Sequence, residues 1–262
     1  MPVKLVINSR GRGPDLILIH GWAMHCGVFE TLADDLCAEY QVHMVDLPGH
    51  GLNRECTQAL DPVVLATELV EQLPGASWLG WSLGGLVALQ AALDQPNQVR
   101  RLVLVSANPC FVAHPGWPHG VEKWVFEQFA ADLERDYRQT LNRFLALEVT
   151  GSSDANQQLR RLRQTLNEMP RPSPDALQQG LAVLQNADYS AQLGQLRCPV
   201  LLLGGANDRL VPAPALSAAA AAIGQSQTLI FPDTGHAPFI GKQQAFASAI
   251  RAFLTLPEPV AI

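Results

Sequence analysis

The sequence predicts an α/β protein in which a mostly parallel sheet has helices on both faces and a helical cap is inserted between two strands. Short apolar runs of strand length alternate with longer stretches of helical pattern, which is typical of parallel α/β folds. One interval, from about Pro109 to Leu196, contains no run that resembles a strand. The 262 residues are enough for a single core domain that carries such an insertion.

Seven runs are predicted as strands, because Leu, Ile and Val dominate most of them and turn residues bound them. These runs are Lys4–Asn8, Leu16–His20, Val42–Asp46, Ser77–Trp81, Leu102–Ser106, Pro199–Leu203 and Thr228–Phe231. Four segments between or after them have the composition of helices, namely Asp61–Leu73, Gly84–Asp94, Ala213–Ile223 and Gln243–Leu254. Apolar strands of this kind are buried on both faces, so helices are expected on each side of the sheet.

The insertion divides the chain into a first core part at 1–108, a helical cap at 109–196 and a second core part at 197–262. Three stretches of the cap are predicted to be helical: Val121–Val149, Asp154–Met169 and Ser173–Asp188. The last two are separated by Pro170, Pro172 and Pro174, because proline interrupts a helix.

Composition and charge disfavour several classes of protein. A net charge of −6 disfavours a nucleic-acid binder, which needs a basic face. No apolar run approaches the roughly 20 residues of a membrane span, and the N-terminus lacks the pattern of a secretory signal. The five cysteines are scattered and look like reduced thiols, and no cluster has the spacing of metal ligands. We expect a cytoplasmic monomer with no metal and no other cofactor.

Gly80-Trp81-Ser82-Leu83-Gly84 is a G-x-S-x-G motif that lies between a predicted strand and a predicted helix. A turn this sharp strains the serine backbone, and it needs glycines because side chains there would collide with the strand and the helix. The turn lifts the serine hydroxyl into a cleft. Ser82 is therefore the predicted nucleophile, and the alternative is a glycine-rich turn with an incidental serine.

His20-Gly21-Trp22 ends the second strand run, where an oxyanion donor is expected. The acyl-transfer intermediate carries a negative oxygen, and the loss of one fixed N–H donor costs about 3 kcal/mol of transition-state stabilisation. The candidate donors are the backbone N–H groups of Trp22 and Leu83. The Trp22 indole either walls the acyl pocket or is an ordinary core aromatic. His20 is expected to be structural.

A serine hydroxyl needs a neighbouring imidazole to take its proton, and seven histidines compete for that role. In hydrolases with this serine turn the chain order is nucleophile, acid, histidine. Only His236, in the loop after the last strand run, follows Ser82 far enough to leave a further strand for the acid. His236 is the predicted general base.

The acid should follow the strand run Pro199–Leu203, and Asp208 lies in the right place. Its role is to hold the imidazole in the correct tautomer and to stabilise the imidazolium. The alternative is that Asp208 caps the next helix or pairs with Arg209. Asp233 is a competitor that we expect to shape a turn, and Asp46 precedes the nucleophile and is expected to be structural.

These motifs, with Asp46-Leu47-Pro48-Gly49-His50-Gly51, resemble the α/β-hydrolase superfamily over the whole chain, and the resemblance implies the α/β-hydrolase fold. More narrowly, the chain resembles the carboxylesterases of biotin synthesis that demethylate pimeloyl-[acyl-carrier protein] methyl ester. The narrower resemblance rests on His20-Gly21-Trp22, Trp81, Arg143-Phe144-Leu145-Ala146-Leu147 and His236-Ala237-Pro238-Phe239-Ile240. The chain departs from that pattern after Glu148 and over 114–124. These departures affect the expected partner contacts more than the expected chemistry.

The resemblance implies roles for individual positions. Ser82, Asp208 and His236 would form the triad, and Trp22 and Leu83 would bind the substrate carbonyl. The acyl channel under the cap would be lined by Phe144, Leu145, Ala146 and Leu147, with Glu148 beside them.

The partner implied by the resemblance is an acyl-carrier protein, which is acidic and would need a local basic patch. The cap carries eight Lys and Arg residues against ten Asp and Glu residues, so it has no net basicity. Solvated helix faces are the ordinary interpretation of such charges. The resemblance instead favours docking arginines, and the candidates are Arg138, Arg143, Arg160 and Arg163.

Three functional interpretations remain open. The first is the biotin-pathway carboxylesterase, with a general short-chain carboxylesterase as its close relative. The second is another Ser-His-Asp enzyme of this fold, such as a carbon–carbon bond hydrolase or a lyase of menaquinone synthesis. The third is a receptor that keeps the triad with little turnover. A serine nucleophile excludes the haloalkane dehalogenases and epoxide hydrolases, which use aspartate.

Overall fold

The computed structural model describes residues 4–256, and its core is a seven-stranded sheet of order β1-β3-β2-β4-β5-β6-β7. The strands are β1 (Ile7–Gly11), β2 (Asp15–Ile19), β3 (Gln41–Val45), β4 (Ala76–Trp81), β5 (Val99–Val105), β6 (Val200–Gly205) and β7 (Ser226–Phe231). All neighbouring pairs are parallel except β1 with β3. The mostly parallel sheet expected from the apolar runs is confirmed.

The first strand begins later than the sequence indicates. The prediction was Lys4–Asn8, whereas β1 pairs Ile7 with Val45 and Gly11 with Gln41. Its middle three residues are the polar sequence Asn8-Ser9-Arg10, which carries no apolar strand signal. An edge strand is defined by its hydrogen bonds to a neighbour, so this register depends on tertiary pairing.

Helices cover both faces of the sheet and form the cap. They are α1 (Glu30–Leu36), α2 (Pro62–Gln72), α3 (Leu83–Asp94), α4 (Lys123–Arg135), α5 (Tyr137–Glu148), α6 (Ala155–Glu168), α7 (Pro174–Asn186), α8 (Ala213–Ala222), α9 (Pro238–Gly241) and α10 (Gln243–Leu254). The short helices α1 and α9 had no sequence prediction. Within residues 4–256, none of these helices has the length and apolarity that a bilayer crossing requires.

The stretch predicted as one helix at Val121–Val149 is two helices that meet at Asp136. Asp136 has a non-helical backbone, and its carboxylate accepts a hydrogen bond of 3.0 Å from the N–H of Gln139. Aspartate is a preferred N-cap residue, so it starts α5 where a single helix would have continued. The break turns α5 back against α4.

The four helices α4 to α7 lie between β5 and β6, at the end of the sheet where the parallel strands finish. In parallel sheets ligands bind beyond the carboxyl ends of the strands. Ser82 follows β4, Asp208 follows β6 and His236 follows β7, so the topology brings these three loops to one edge.

Candidate active site

Ser82 lies at a strained turn between β4 and α3. Its backbone has φ 53° and ψ −116°, a conformation that costs a non-glycine residue free energy and needs support from its surroundings. The support includes hydrogen bonds from the N–H of Ser82 to the Val105 carbonyl (3.0 Å) and from the N–H of Gly85 to the Ser82 carbonyl (2.9 Å). A serine at the tip of a strand–turn–helix unit is the geometry that the predicted nucleophile requires.

Glycine is required on both sides of this turn. A Cβ at Gly80 would collide with the backbone of Gly84 and Gly85, and a Cβ at Gly84 would collide with the Ile19 carbonyl. The close approach lets α3 start directly against β2 and β4. The motif therefore depends on packing that glycine alone permits.

Asp208 and His236 form a buried hydrogen-bonded pair. The Nδ1–H of His236 donates to Oδ2 of Asp208 at 2.8 Å. The other oxygen of Asp208 accepts from the N–H groups of Leu210 (2.8 Å) and Val211 (2.9 Å), so the carboxylate is fixed in orientation. Asp208 thus holds the imidazole with its Nε2 as the basic nitrogen, the tautomer that a general base needs.

The histidine loop is tied to the nucleophile turn through Trp81. The indole N–H of Trp81 donates to the carbonyl of His236 at 2.9 Å, and the two rings are 6.0 Å apart. Within residues 4–256, Nε2 of His236 is buried without a hydrogen-bond partner. Ser82, the neighbour of Trp81, is likewise buried. The structure joins Asp208 to His236 directly and Ser82 to this pair through Trp81.

The two candidate oxyanion donors flank Ser82. Leu83 is the first residue of α3, and the first N–H groups of a helix have no partner within the helix. Across the described part of the chain, the backbone N–H of neither Trp22 nor Leu83 donates to a protein acceptor. Two N–H groups left in this state can bind a developing negative oxygen.

A pocket with an empty volume of about 560 Å³, including its open mouth, ends at Ser82. Its lining is apolar apart from Ser82 and consists of Trp22, Phe111, Val121, Val125, Phe126, Phe129, Phe144, Leu147, Leu181, Leu184 and Leu210. The cap supplies most of these side chains. An apolar pocket with one reactive hydroxyl suits an aliphatic acyl chain.

The side chain of Trp22 belongs to the pocket wall. Its ring packs edge-to-face on Phe144 (4.8 Å between centroids) and on Phe129 (5.3 Å). Its indole N–H donates to the Leu177 carbonyl of α7 at 2.9 Å. This core-domain tryptophan therefore anchors three cap helices around the pocket. Several wall residues had no sequence prediction, although Val125, Phe126 and Phe129 form an apolar stripe on α4 that is typical of an amphipathic helix.

The five channel residues expected on α5 have different environments. Phe144 and Leu147 line the pocket, whereas Leu145, Ala146 and Glu148 do not contribute to its lining. Successive helix residues are rotated by about 100°, so positions 144 and 147 share one face and positions 145 and 148 share another. The pocket lining therefore includes two of these five residues, and substrate binding by any of the five stays a prediction.

Glu148 lies near Asp208 and not in the pocket lining. Its side chain is fully buried, and neither carboxyl oxygen has a hydrogen-bond partner within residues 4–256. Burial raises the pKa of Glu148 well above its usual range, and the nearby charge of Asp208 raises it further. The Glu148 carboxyl is therefore a buried acid that holds its proton to a higher pH than an exposed glutamate.

The connection between α5 and α6 holds the two loops that carry Asp208 and His236. The N–H of Gly235 donates to Ser152 Oγ (3.0 Å), and the side chain of Asn207 donates to the Gly151 carbonyl (2.7 Å). Sequence reasoning missed Gly151 and Ser152, because nothing in a loop sequence shows which distant loop it contacts.

Of the other candidates, Asp46 and His20 have structural hydrogen-bond partners and Asp233 lies at a turn. Asp46 accepts from the N–H groups of Cys26 (2.6 Å) and Leu52 (2.8 Å). His20 is completely buried, its Nε2 accepts from the Leu47 N–H at 3.0 Å, and burial lowers its pKa to about 3. Asp233 is exposed at a turn with φ 55°.

The docking candidates Arg138, Arg143, Arg160 and Arg163 are all exposed on cap helices α5 and α6. Arg143 is ion-paired with the buried carboxylate of Asp132 at 3.0 Å, and Arg135 pairs with the same carboxylate at 2.9 Å. The three others have no ion pair within the described residues. Arg143 therefore has a structural partner that the sequence did not indicate.

Comparison with known proteins agrees with this architecture. The family model of the alpha/beta hydrolase fold matches residues 14–243. A pimeloyl-[acyl-carrier protein] methyl ester esterase of Xanthomonas oryzae pv. oryzae is 47% identical over 95% of this chain and 98% of its own. The protein of the same name from Nitrosomonas europaea is 44% identical over 94% and 98% of the two chains.

Among solved structures, an esterase from Exiguobacterium antarcticum superposes with a TM-score of 0.86 at 22% identity and covers 96% of each chain. At that identity the likeness concerns the fold. The sequence identity to the two named relatives, 44–47% over nearly the whole chain, is about twice as high. The chain belongs to the α/β-hydrolase family and, within it, to the family of pimeloyl-[acyl-carrier protein] methyl ester esterases.

Proposed function

We propose that this protein is a serine carboxylesterase that hydrolyses the methyl ester of pimeloyl-[acyl-carrier protein] in biotin synthesis. The observation that carries the proposal is the 44–47% identity to esterases of that name over nearly the whole chain. The apolar pocket that ends at Ser82 supports it, because the methylene chain of a pimeloyl group needs apolar walls.

The proposed reaction proceeds through an acyl-enzyme. Oγ of Ser82 attacks the ester carbonyl while Nε2 of His236 takes the hydroxyl proton. The carbonyl oxygen becomes an oxyanion, which the N–H groups of Trp22 and Leu83 stabilise. The imidazolium then gives its proton to the leaving methoxide, and methanol departs.

Hydrolysis of the acyl-enzyme completes the cycle. His236 takes a proton from water, the resulting hydroxide attacks the acyl carbonyl, and Ser82 leaves with that proton. The product is a free carboxylate at the end of the pimeloyl chain. Asp208 stays ionised throughout and stabilises the imidazolium that forms twice.

The acyl-carrier protein is proposed to dock on the cap. Arg138, Arg160 and Arg163 are exposed cations without ion pairs in the described residues, which supports contact with an acidic partner. Arg143 can join them only while it also neutralises Asp132. Charges of this kind act mainly on the rate of encounter, so binding should weaken with salt.

A general short-chain carboxylesterase is the main alternative, because a small ester would also fit the pocket. A carbon–carbon bond hydrolase or a lyase of this fold is less favoured, because a dicarboxylate would need cationic or hydrogen-bonding groups. Within residues 4–256 the pocket lining offers only Ser82 as a polar side chain. A receptor without turnover would release no alcohol.

The decisive experiment compares methanol release from methyl pimeloyl-carrier protein with hydrolysis of p-nitrophenyl butyrate. We expect kcat/KM for the carrier-bound ester to exceed that for the small ester, and Ser82→Ala to abolish both. Restored growth of a biotin-requiring strain that lacks its methyl esterase would show the same activity in a cell. Equal or lower activity on the carrier-bound ester would favour the general esterase, and no turnover of either would favour the receptor.

A further inference from the structure

The two chain segments that join the cap to the sheet lie side by side. The outgoing segment follows β5 and contains Cys110, and the returning segment follows α7 and contains Asp188. Cys110 and Asp188 form an antiparallel bridge, and the N–H of Tyr189 donates to the Pro109 carbonyl at 2.9 Å. A group bound at this point would hold both connections of the cap.

Three side chains of different chemistry converge there. Sγ of Cys110, a ring nitrogen of His114 and a carboxylate oxygen of Asp188 all lie within 4.8 Å of one another. Nε2 of His114 is buried and lies 3.1 Å from Oδ2 of Asp188. None of the three residues lines the pocket at Ser82. The ester chemistry leaves this cluster without a role.

Hydrogen bonds already orient the carboxylate. Oδ1 of Asp188 accepts from both the N–H (2.9 Å) and the hydroxyl (2.6 Å) of Ser190. This leaves Oδ2 directed toward Nε2 of His114, 3.1 Å away. A carboxylate fixed by one oxygen is a ready monodentate ligand.

The histidine is fixed by its backbone. His114 and Trp117 exchange two backbone hydrogen bonds across a tight turn (3.1 and 2.9 Å), and the indole N–H of Trp117 donates to Asn108 at 2.8 Å. Nδ1 of His114 accepts from the N–H of Gly116 at 3.2 Å. Gly116 is exposed, so water can replace this contact when the ring changes tautomer.

We infer that Cys110, His114 and Asp188 form a binding site for a divalent transition-metal ion, with Zn²⁺ as the best match. Thiolate, imidazole and carboxylate are the three ligand types that Zn²⁺ takes in proteins. At Zn–ligand lengths of about 2.0–2.3 Å, tetrahedral ligands are about 3.3–3.8 Å apart, so the cluster needs to contract by about 1 Å. Water would complete the coordination, because His114 and Asp188 are partly exposed.

Metal binding would release one proton and move another. The thiol of Cys110, which now donates to the Val112 carbonyl at 3.1 Å, loses its proton to solvent and binds as thiolate. The single ring proton of His114 moves from Nε2 to Nδ1, which frees Nε2 for the metal. The carboxylate of Asp188 binds as it stands. The bound ion would clip the two cap connections together and stabilise the cap on the core.

The test uses the full chain, freed of metal with a chelator, kept reduced and titrated with Co²⁺ as a spectroscopic probe. One equivalent should produce visible d–d bands and a near-ultraviolet thiolate charge-transfer band, and Zn²⁺ should displace it. Cys110→Ser should remove the charge-transfer band, and His114→Gln and Asp188→Asn should weaken binding about tenfold or more. Cys56→Ser, a thiol outside the cluster, should bind like the wild type.

Stability supplies a second readout. Zn²⁺ at about 100 times the wild-type Kd should raise the Tm of the wild type by about 5 °C or more and that of His114→Gln by about half as much or less. His114 is partly exposed and outside the pocket, so this variant should fold and should hydrolyse p-nitrophenyl butyrate normally. Absence of a stoichiometric Co²⁺ complex, or a charge-transfer band that survives Cys110→Ser in folded protein, would overturn the assignment.

Discussion

The carbonyl oxygen of Glu148 accepts a hydrogen bond of 2.7 Å from the backbone N–H of His236. The last residue of α5 in the cap thus fixes the loop that carries the proposed general base. The side chain of the same residue is a buried carboxyl that faces the charge of Asp208. One cap residue therefore positions His236 through its backbone and places a buried carboxyl of raised pKa near Asp208 through its side chain.

Replacing Glu148 with glutamine should stabilise the protein increasingly as pH rises. The folded pKa of Glu148 lies above its unfolded value, so the folded state binds the extra proton and its stability falls as pH rises between the two values. Below the unfolded pKa the two proteins should be about equally stable. Above it the difference should grow by up to about 1.4 kcal/mol per pH unit until the folded pKa is reached. Urea unfolding of both proteins at pH 4, 6 and 8 measures this difference in the free energy of unfolding. A difference that does not change with pH would contradict the burial of an unpartnered carboxyl.

Ser82→Ala, His236→Ala and Asp208→Asn should each lower kcat by several orders of magnitude, because each removes a part of one proton-transfer unit. Combining them should add little to the largest single loss. Steady-state kinetics with p-nitrophenyl butyrate checks this, and a fluorophosphonate probe should label wild type but not Ser82→Ala. The assignment of the acid fails if Asp208→Asn keeps near wild-type turnover while Asp46→Asn or Asp233→Asn loses it.

Phe144→Ala should change which esters the enzyme accepts. The ring packs on Trp22 and lines the pocket, so its removal leaves a cavity beside the acyl chain. The matched control is Leu141→Ala, a buried residue on α5 outside the pocket lining. Both should cost about 2–5 kcal/mol of stability, but only Phe144→Ala should raise KM and alter the ranking of p-nitrophenyl esters by chain length. The same ranking in both variants would argue against Phe144 as a wall of the acyl site.

Charge reversal at Arg160 and Arg163 should raise KM for carrier-bound ester and flatten its salt dependence, with hydrolysis of p-nitrophenyl butyrate unchanged. Exposed interface charges act on encounter and are screened by salt. Arg12→Glu is the control, because Arg12 lies just before β2, at the end of the sheet where the parallel strands begin and therefore away from the cap. Arg143→Glu is a poor test, since it would put a second negative charge beside buried Asp132. If the variant with both charges reversed kept the wild-type KM at low salt, α6 would not be part of the docking surface.

Several features could be predicted because they depend on local sequence. Apolar runs indicated the parallel strands, and G-x-S-x-G indicated the turn at Ser82, since only glycine tolerates the close approach of β4 and α3. The order of the loops predicted that Asp208 and His236 would meet, and the structure places them 2.8 Å apart. Their catalytic roles remain to be tested by the variants above.

Other features required the tertiary structure, because they depend on how distant segments pack. The sequence by itself determined that α5 is helical, but the rotation of that helix decided that Phe144 and Leu147 line the pocket while Glu148 faces Asp208. Likewise, Cys110 and Asp188 are 78 positions apart, and only the return of the cap brings them together. Local sequence indicates most helices, buried strands and tight turns, whereas the register of the edge strand β1 and the contacts across the fold depend on the packing of whole elements, which no short motif encodes.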